Sequence, residues 1–158
     1  MNKLLITLCA SSLVFNSYAG IFQSKEAQED PESAEQAKHL HVLINAHQNA
    51  LKPFENNSPE ALDLTQTTNM LNELTSLQKN EHELLQYFVN KRLLPDLFAM
   101  NKIYTTQRSV LSNLLRQKQI PQEAEKNVLI FLVTSAEEEK LVKILDKNLE
   151  DAYWLANH

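Results

Sequence analysis

Histidine offers this chain its widest choice of chemistry, because imidazole binds metals and titrates near neutral pH. The five histidines are His39, His41, His47, His82 and His158. On a helix, at about 100° per residue, His39 and His41 point to nearly opposite sides. Glu35 and His39 have a metal-site spacing, but no matching motif follows on another helix. We therefore predict no metal site and no bound cofactor, with His39 and His41 at the surface and His47 at the core edge.

A second group of polar residues interrupts stripes of apolar residues. Glu81 and Gln107 lie 14 and 12 residues on either side of Pro95, and Ser135 follows the next turn at a similar distance. In antiparallel helices these three residues fall in one layer, with Arg108 beside it as a candidate cation for a substrate. Such a layer could hold a ligand or a catalytic carboxyl group. The interpretation we prefer is that it sets helix register at some cost in stability.

Nucleophilic and phosphate-binding chemistry finds no support. Cys9 is the only cysteine and Gly20 the only glycine. The chain after residue 20 therefore has no thiolate for zinc, for an iron–sulfur cluster or for covalent haem. It also has no glycine for a Gly-x-Ser-x-Gly elbow or a phosphate-binding loop. We predict that the protein is not an enzyme.

Residues 1–19 have the three parts of a cleavable signal peptide. Lys3 is followed by an apolar stretch over residues 4–15 and by a small residue, Ala19, at the cleavage site. This stretch of twelve residues falls short of the roughly 20 that span a membrane, so we expect no transmembrane anchor after cleavage. Cys9 lies inside the apolar stretch, which argues against lipidation. We predict export to the periplasm, with secretion into the medium as the alternative.

Composition after the signal is typical of an all-α protein. Good helix formers dominate, and glycine for tight hairpins is missing. The formal net charge of −5 lacks the basic surface that nucleic acids require, so no nucleic acid is expected. We predict a flexible N-terminal arm over residues 20–29 and a single helical domain over residues 30–158.

Four start signals predict four helices in that domain. Asp30-Pro31 begins the first and Ser58-Pro59 the second, which could also begin later, near residues 65–69. The predicted spans are about 31–55, 59–93, 96–118 and 122–155. Short connections favour an antiparallel, up-down-up-down four-helix bundle. Residues 128–133 are apolar all round, which predicts the most buried segment of the bundle.

These observations predict only a broad class of function. We expect an exported, non-enzymatic interaction protein of the bacterial cell envelope, of an accessory, adaptor or chaperone-like kind, with a protein partner there. Tyr153 and Trp154 either dock onto the bundle or anchor that partner, since these residue types are favoured at interfaces. The alternatives are a periplasmic bundle that binds a ligand, metal or haem, and a small all-α periplasmic enzyme.

Overall fold

A computed structural model describes residues 30–55, 60–91 and 97–158, apart from the side chains of 149, 150, 152 and 153. The predicted signal peptide and arm, residues 1–19 and 20–29, lie outside this part. The helices are α1 (Pro31–Glu55), α2 (Leu64–Asn90), α3 (Leu97–Arg116) and α4 (Gln122–Asn157). No strand occurs among the described residues. The all-α prediction is confirmed.

Helix α1 begins at the predicted residue, and α2 begins later than Ser58-Pro59 indicated. The Asp30 carboxylate accepts a hydrogen bond of 2.8 Å from the Ser33 hydroxyl. The chain before Leu64 is not helical over residues 60–63. There Asp63 accepts from the Gln66 amide at 2.7 Å, and the Gln66 side chain accepts from the Asp63 amide at 3.0 Å. This reciprocal capping box satisfies two amides that a helix start leaves free, and so fixes where α2 begins.

The end of α3 shows how a chain without glycine in its helical domain makes a tight turn. Lys118 adopts a left-handed conformation with φ of 58°. The Gln119 amide donates to the Leu114 carbonyl at 2.9 Å, and the Lys118 amide donates to the Leu115 carbonyl at 3.2 Å. This is the Schellman pattern, in which glycine is the usual left-handed residue. It ends α3 at Arg116, two residues before the predicted end.

The helices pack in the pairs α1 with α2, α1 with α3, α2 with α4 and α3 with α4. Over the described residues, α2 and α3 are consecutive in sequence yet lie diagonally across the bundle. The buried apolar residues form two clusters. The first contains Ala37, Leu40, Leu43, Ile44, Leu77, Leu84, Leu85, Phe88, Leu97, Met100, Ile103, Tyr104 and Val142. The second contains Leu51, Met70, Leu74, Val110, Leu111, Leu114, Ile120, Ala124, Val128 and Phe131.

The prediction that residues 128–133 are the most buried segment is wrong. Val128 and Phe131 are buried, but Leu129, Ile130 and Val133 are 52%, 54% and 66% exposed. The reason is that, among the described helices, α4 packs mainly against α2 and α3, which cover one side of it. None of the described helices contains an apolar stretch that could cross a membrane.

Candidate functional site

A layer of buried polar side chains lies between the two apolar clusters. Every helix contributes to it, and each member is at most 6% exposed. Its members are His47 from α1, Gln78 and Glu81 from α2, Tyr104 and Gln107 from α3, and Ser135 from α4. We call this set the polar layer. The structure thus brings together Glu81, Gln107 and Ser135, the three residues that the sequence placed at one height.

His47 lies at the centre of the polar layer. Its Nδ1 is 2.8 and 3.0 Å from the two carboxylate oxygens of Glu81. Its Nε2 is 2.6 Å from Oε1 of Gln107. Each ring nitrogen therefore has an oxygen of a neighbouring helix within hydrogen-bond distance. His47 is fully buried, so the interpretation of this residue as core-edge was wrong.

Gln107 connects the histidine to the remaining helices. Its Nε2 donates to Oε1 of Gln78 at 3.1 Å and to the Ser135 hydroxyl at 2.6 Å. Both amide hydrogens are thereby used, which leaves the Gln107 oxygen as the acceptor for His47. One side chain therefore links α1, α2 and α4 through α3.

Tyr104 adds a second donor to the Glu81 carboxylate, at 3.1 Å between Oη and Oε1. Burial, followed by the negative charges of Glu81 and Glu138, holds the pKa of Tyr104 far above its usual range. The phenol therefore keeps its proton and donates. Its ring also meets the His47 ring edge-on, with centroids 5.9 Å apart. The buried carboxylate accordingly has donors on both oxygens, as a buried charge requires.

This geometry decides what the polar layer can do. A carboxylate with an imidazole is an arrangement used for proton transfer, but here both groups are already bonded to neighbours and shielded from solvent. A groove of about 360 Å³ between α2 and α4 reaches the layer at Gln78. The layer, as described, joins four helices and holds its titratable groups away from water.

Arg108 lies outside the polar layer, although its neighbour Gln107 is in it. Successive residues on a helix diverge by about 100°, and the Arg108 side chain is 50% exposed. Its Nε and Nη2 each donate a hydrogen bond of 3.0 Å to the carboxylate of Glu139. The same carboxylate accepts a hydrogen bond of 2.7 Å from Lys143 Nζ. The hydrogen bond from Arg108, together with Lys143, lowers the pKa of Glu139 to about 2. Arg108, the candidate cation beside the polar layer, is thus already paired with Glu139.

The other histidines do not assemble a metal centre in the described part of the chain. There, no three His, Cys, Asp or Glu side chains converge on one point. His82 and Glu138 are at ion-pair distance across α2 and α4, and both are partly exposed. His39 is exposed. His41 lies 3.2 Å from the side chain of Asn45 on the surface of α1.

Trp154 is the one of the two candidate partner-binding residues whose side chain the structure describes. It is 58% exposed and stacks on His158 with centroids 4.7 Å apart. Trp154 is therefore not docked into the bundle core. The Tyr153 side chain lies outside the described residues.

The polar contacts of Gln78, Tyr104 and Glu139 were not predicted from the sequence. The hydroxyl of Tyr104 is the one feature of that residue that requires a partner when it is buried. Gln78 lies next to Leu77, at the border of the apolar face of α2. The sequence pattern does not show whether a residue at that border is buried. Comparisons of the chain with protein-family models, with curated proteins and with solved structures find no match.

Proposed function

We propose that the chain is an exported, non-enzymatic interaction protein of the bacterial cell envelope that binds a protein partner through the outer face of α4. The observation that carries this proposal is a row of aliphatic side chains on that face. Ile130, Val133, Leu141 and Ile144 are 54%, 66%, 37% and 49% exposed. We call these four residues, with Glu137 in their middle, the outer α4 stripe.

The spacing of the outer α4 stripe supports an interface. Its five residues follow steps of three, four, four and three, the repeat with which one helix packs against another. The stripe lies opposite the side of α4 that buries Phe131, Ser135 and Val142. Single exposed apolar residues are ordinary on protein surfaces, but a continuous row of them marks a surface that binds a partner.

The polar layer supports the non-enzymatic part of the proposal. Its carboxylate and imidazole are bonded to each other, and the nearby cation Arg108 is paired with Glu139. Export is supported by the charged, apolar and small-residue parts of the first 19 residues, with the periplasm preferred to the medium.

We also propose that the four helices alternate in direction, as expected for an up-down-up-down bundle. The first cluster takes residues from the early part of α1 and α3 and from the late part of α2 and α4. The second cluster takes the opposite ends. A Ser33 hydroxyl 3.0 Å from the Tyr87 hydroxyl supports the same relation for α1 and α2.

Site-specific photo-crosslinking in intact cells tests the interaction proposal. A photoreactive residue at Val133 lies on the outer α4 stripe, whereas one at Val42, which is 60% exposed on α1, is the matched control. We expect a discrete crosslinked protein from position 133 and none from position 42. Mass spectrometry of the same sample is expected to find an N-terminus at Gly20. Equal crosslinking from both positions, or none from 133, would contradict the proposed interface.

A further inference from the structure

The outer α4 stripe is symmetric about one residue, Glu137. Ile130 and Ile144 lie seven residues to either side of it, and Val133 and Leu141 lie four residues to either side. All four are aliphatic, and all are on the exposed side of α4. A surface that reads the same in both directions can pair with itself about a two-fold axis, because a two-fold interface places residue i against j and j against i.

We infer that the partner of the outer α4 stripe is a second copy of this chain, with the two α4 helices antiparallel and Glu137 at the two-fold axis. This inference rests on the proposed function and names its partner. In this arrangement Ile130 of one copy lies against Ile144 of the other, and Val133 lies against Leu141. Each aliphatic side chain of the stripe then has an aliphatic neighbour and leaves water.

Charges beside the stripe are complementary in the same arrangement. The two Glu137 carboxylates approach each other at the axis, and Lys140, which is exposed one turn away, reaches the carboxylate of the other copy. The two lysines offset the repulsion between the two carboxylates at the axis, where charges select the partner and its orientation rather than supply most of the affinity.

The stripe is long enough for a helix pair. From Ile130 to Ile144 it rises about 21 Å along the axis, which is four turns of continuous contact. In the described part of the chain, α4 packs against α2 and α3 through the opposite side and leaves the stripe exposed. Two copies joined here would place their polar layers on the outer sides of a closed dimer.

Disulfide trapping of the full chain with Cys9→Ser distinguishes this dimer from others, since the introduced cysteine is then the only one. We expect Glu137→Cys to crosslink to itself, because a residue on the axis meets its own copy. Val133→Cys alone should not, because its two copies lie about 12 Å apart along the axis, beyond disulfide reach. A mixture of the Val133→Cys and Leu141→Cys variants should crosslink. Self-crosslinking of Val133→Cys as strong as that of Glu137→Cys would indicate parallel helices and overturn the inference.

Sedimentation of the chain without cysteines gives an independent measurement. Ile144→Glu should weaken dimerisation by about tenfold or more, because an isoleucine is lost from the interface twice. Val42→Glu on α1 should leave it unchanged, and circular dichroism should show both variants folded. A monomer at every concentration, with no Glu137→Cys crosslink, would overturn self-association. If position 133 still crosslinked to a different protein in cells, the proposed function would stand without self-association. If it did not, both the proposed function and self-association would be contradicted.

Discussion

At the scale of single residues, the central feature is a histidine–glutamate pair enclosed by its own bundle. His47 and Glu81 are both almost without solvent exposure, so each loses the hydration that it has in the unfolded chain. Such a pair contributes little net stability against apolar residues of the same size, but loss of one member is costly. What the pair adds is specificity, because a shifted helix register would leave a buried charge without its partner.

His47→Ala should destabilise the fold by about 3–5 kcal/mol, since it leaves the Glu81 carboxylate buried without its imidazole. Urea denaturation followed by circular dichroism measures the loss. His39→Ala, on the exposed face of the same helix, should change stability by about 0.5 kcal/mol or less. Adding Glu81→Gln to His47→Ala should recover part of the loss because the buried charge is removed. A loss below about 1 kcal/mol for His47→Ala would contradict the charge-pair interpretation.

Glu139 should make stability depend on pH in the acid range. Its folded-state pKa of about 2 lies below the ordinary value of 4.5, so the folded chain binds this proton less readily than the unfolded chain. The resulting stability is present above about pH 4.5 and is lost as the pH falls toward 2. We expect about 1–2 kcal/mol, because Arg108 and Lys143 are half exposed and water screens the pairing.

Chemical denaturation between pH 2 and 6 measures this dependence. Glu139→Gln should flatten the acid limb of the curve, and Arg108→Gln should do so in part because the Lys143 pair remains. Glu83→Gln, an exposed glutamate of α2, should leave the slope almost unchanged. An unaltered acid limb in Glu139→Gln would show that this carboxylate does not set the dependence.

At the scale of helices, the sequence allowed most boundaries to be predicted, because helix starts depend on local chemistry. Helices α1 and α4 begin at the expected residues, Pro31 and Gln122. The α2 start was misplaced because Ser58-Pro59 resembles a start signal, whereas the Asp63–Gln66 capping box satisfies the amides. Which side of a helix is buried was harder to predict for α4, where an apolar run surrounds the axis and only neighbouring helices decide.

In the polar layer, too, some members could be predicted from the pattern within one helix, whereas others depend on contacts between helices. Glu81, Gln107 and Ser135 were identifiable because each interrupts an apolar stripe at a comparable distance from a turn. His47 also lay on a stripe, but its full burial depends on α2 and α3 packing against α1. The pairing of Arg108 depends on Glu139, which is 31 residues away. A pattern within one helix carries no information on that pairing.

Lys118→Gly should stabilise the protein by about 0.5–1 kcal/mol. The left-handed conformation at this position, with φ of 58°, costs a residue with a Cβ more than it costs glycine. Differential scanning calorimetry would show the gain as a higher melting temperature. Lys118→Ala is the control and should give no such gain. Equal melting temperatures for the glycine and lysine proteins would mean that the Schellman turn is not strained.

At the scale of the whole molecule, the bundle consists of two apolar clusters separated by the polar layer. Each cluster includes residues of all four helices, so neither can form from one helix pair alone. The diagonal placement of α2 and α3 means that the layer is crossed by Gln107 and Tyr104, whose hydrogen bonds reach α2 from α3. Disruption of the layer therefore affects both clusters.

Hydrogen exchange should reveal this arrangement as a gradient along α4. Backbone amides of residues 128–142, whose buried side chains contact α2 and α3, should exchange most slowly. Amides of residues 154–157 should exchange fastest, because every side chain there is exposed and the helix ends there. Mass spectrometry of peptides from the intact protein measures the difference. Uniform protection up to residue 157 would contradict it and indicate that another surface covers the end of α4.

The position of His47 and Glu81 on the first two helices has a consequence for the order of folding. A chain that leaves the ribosome or a translocation pore amino end first completes α1 and α2 before α3 and α4 have emerged. His47 and Glu81 are then both present, so this buried pair can form while the chain is half made. Gln107 and Ser135 arrive later with neutral groups, whose temporary exposure to water costs little. His47 and Glu81 can therefore pair before the second half of the chain has been synthesised.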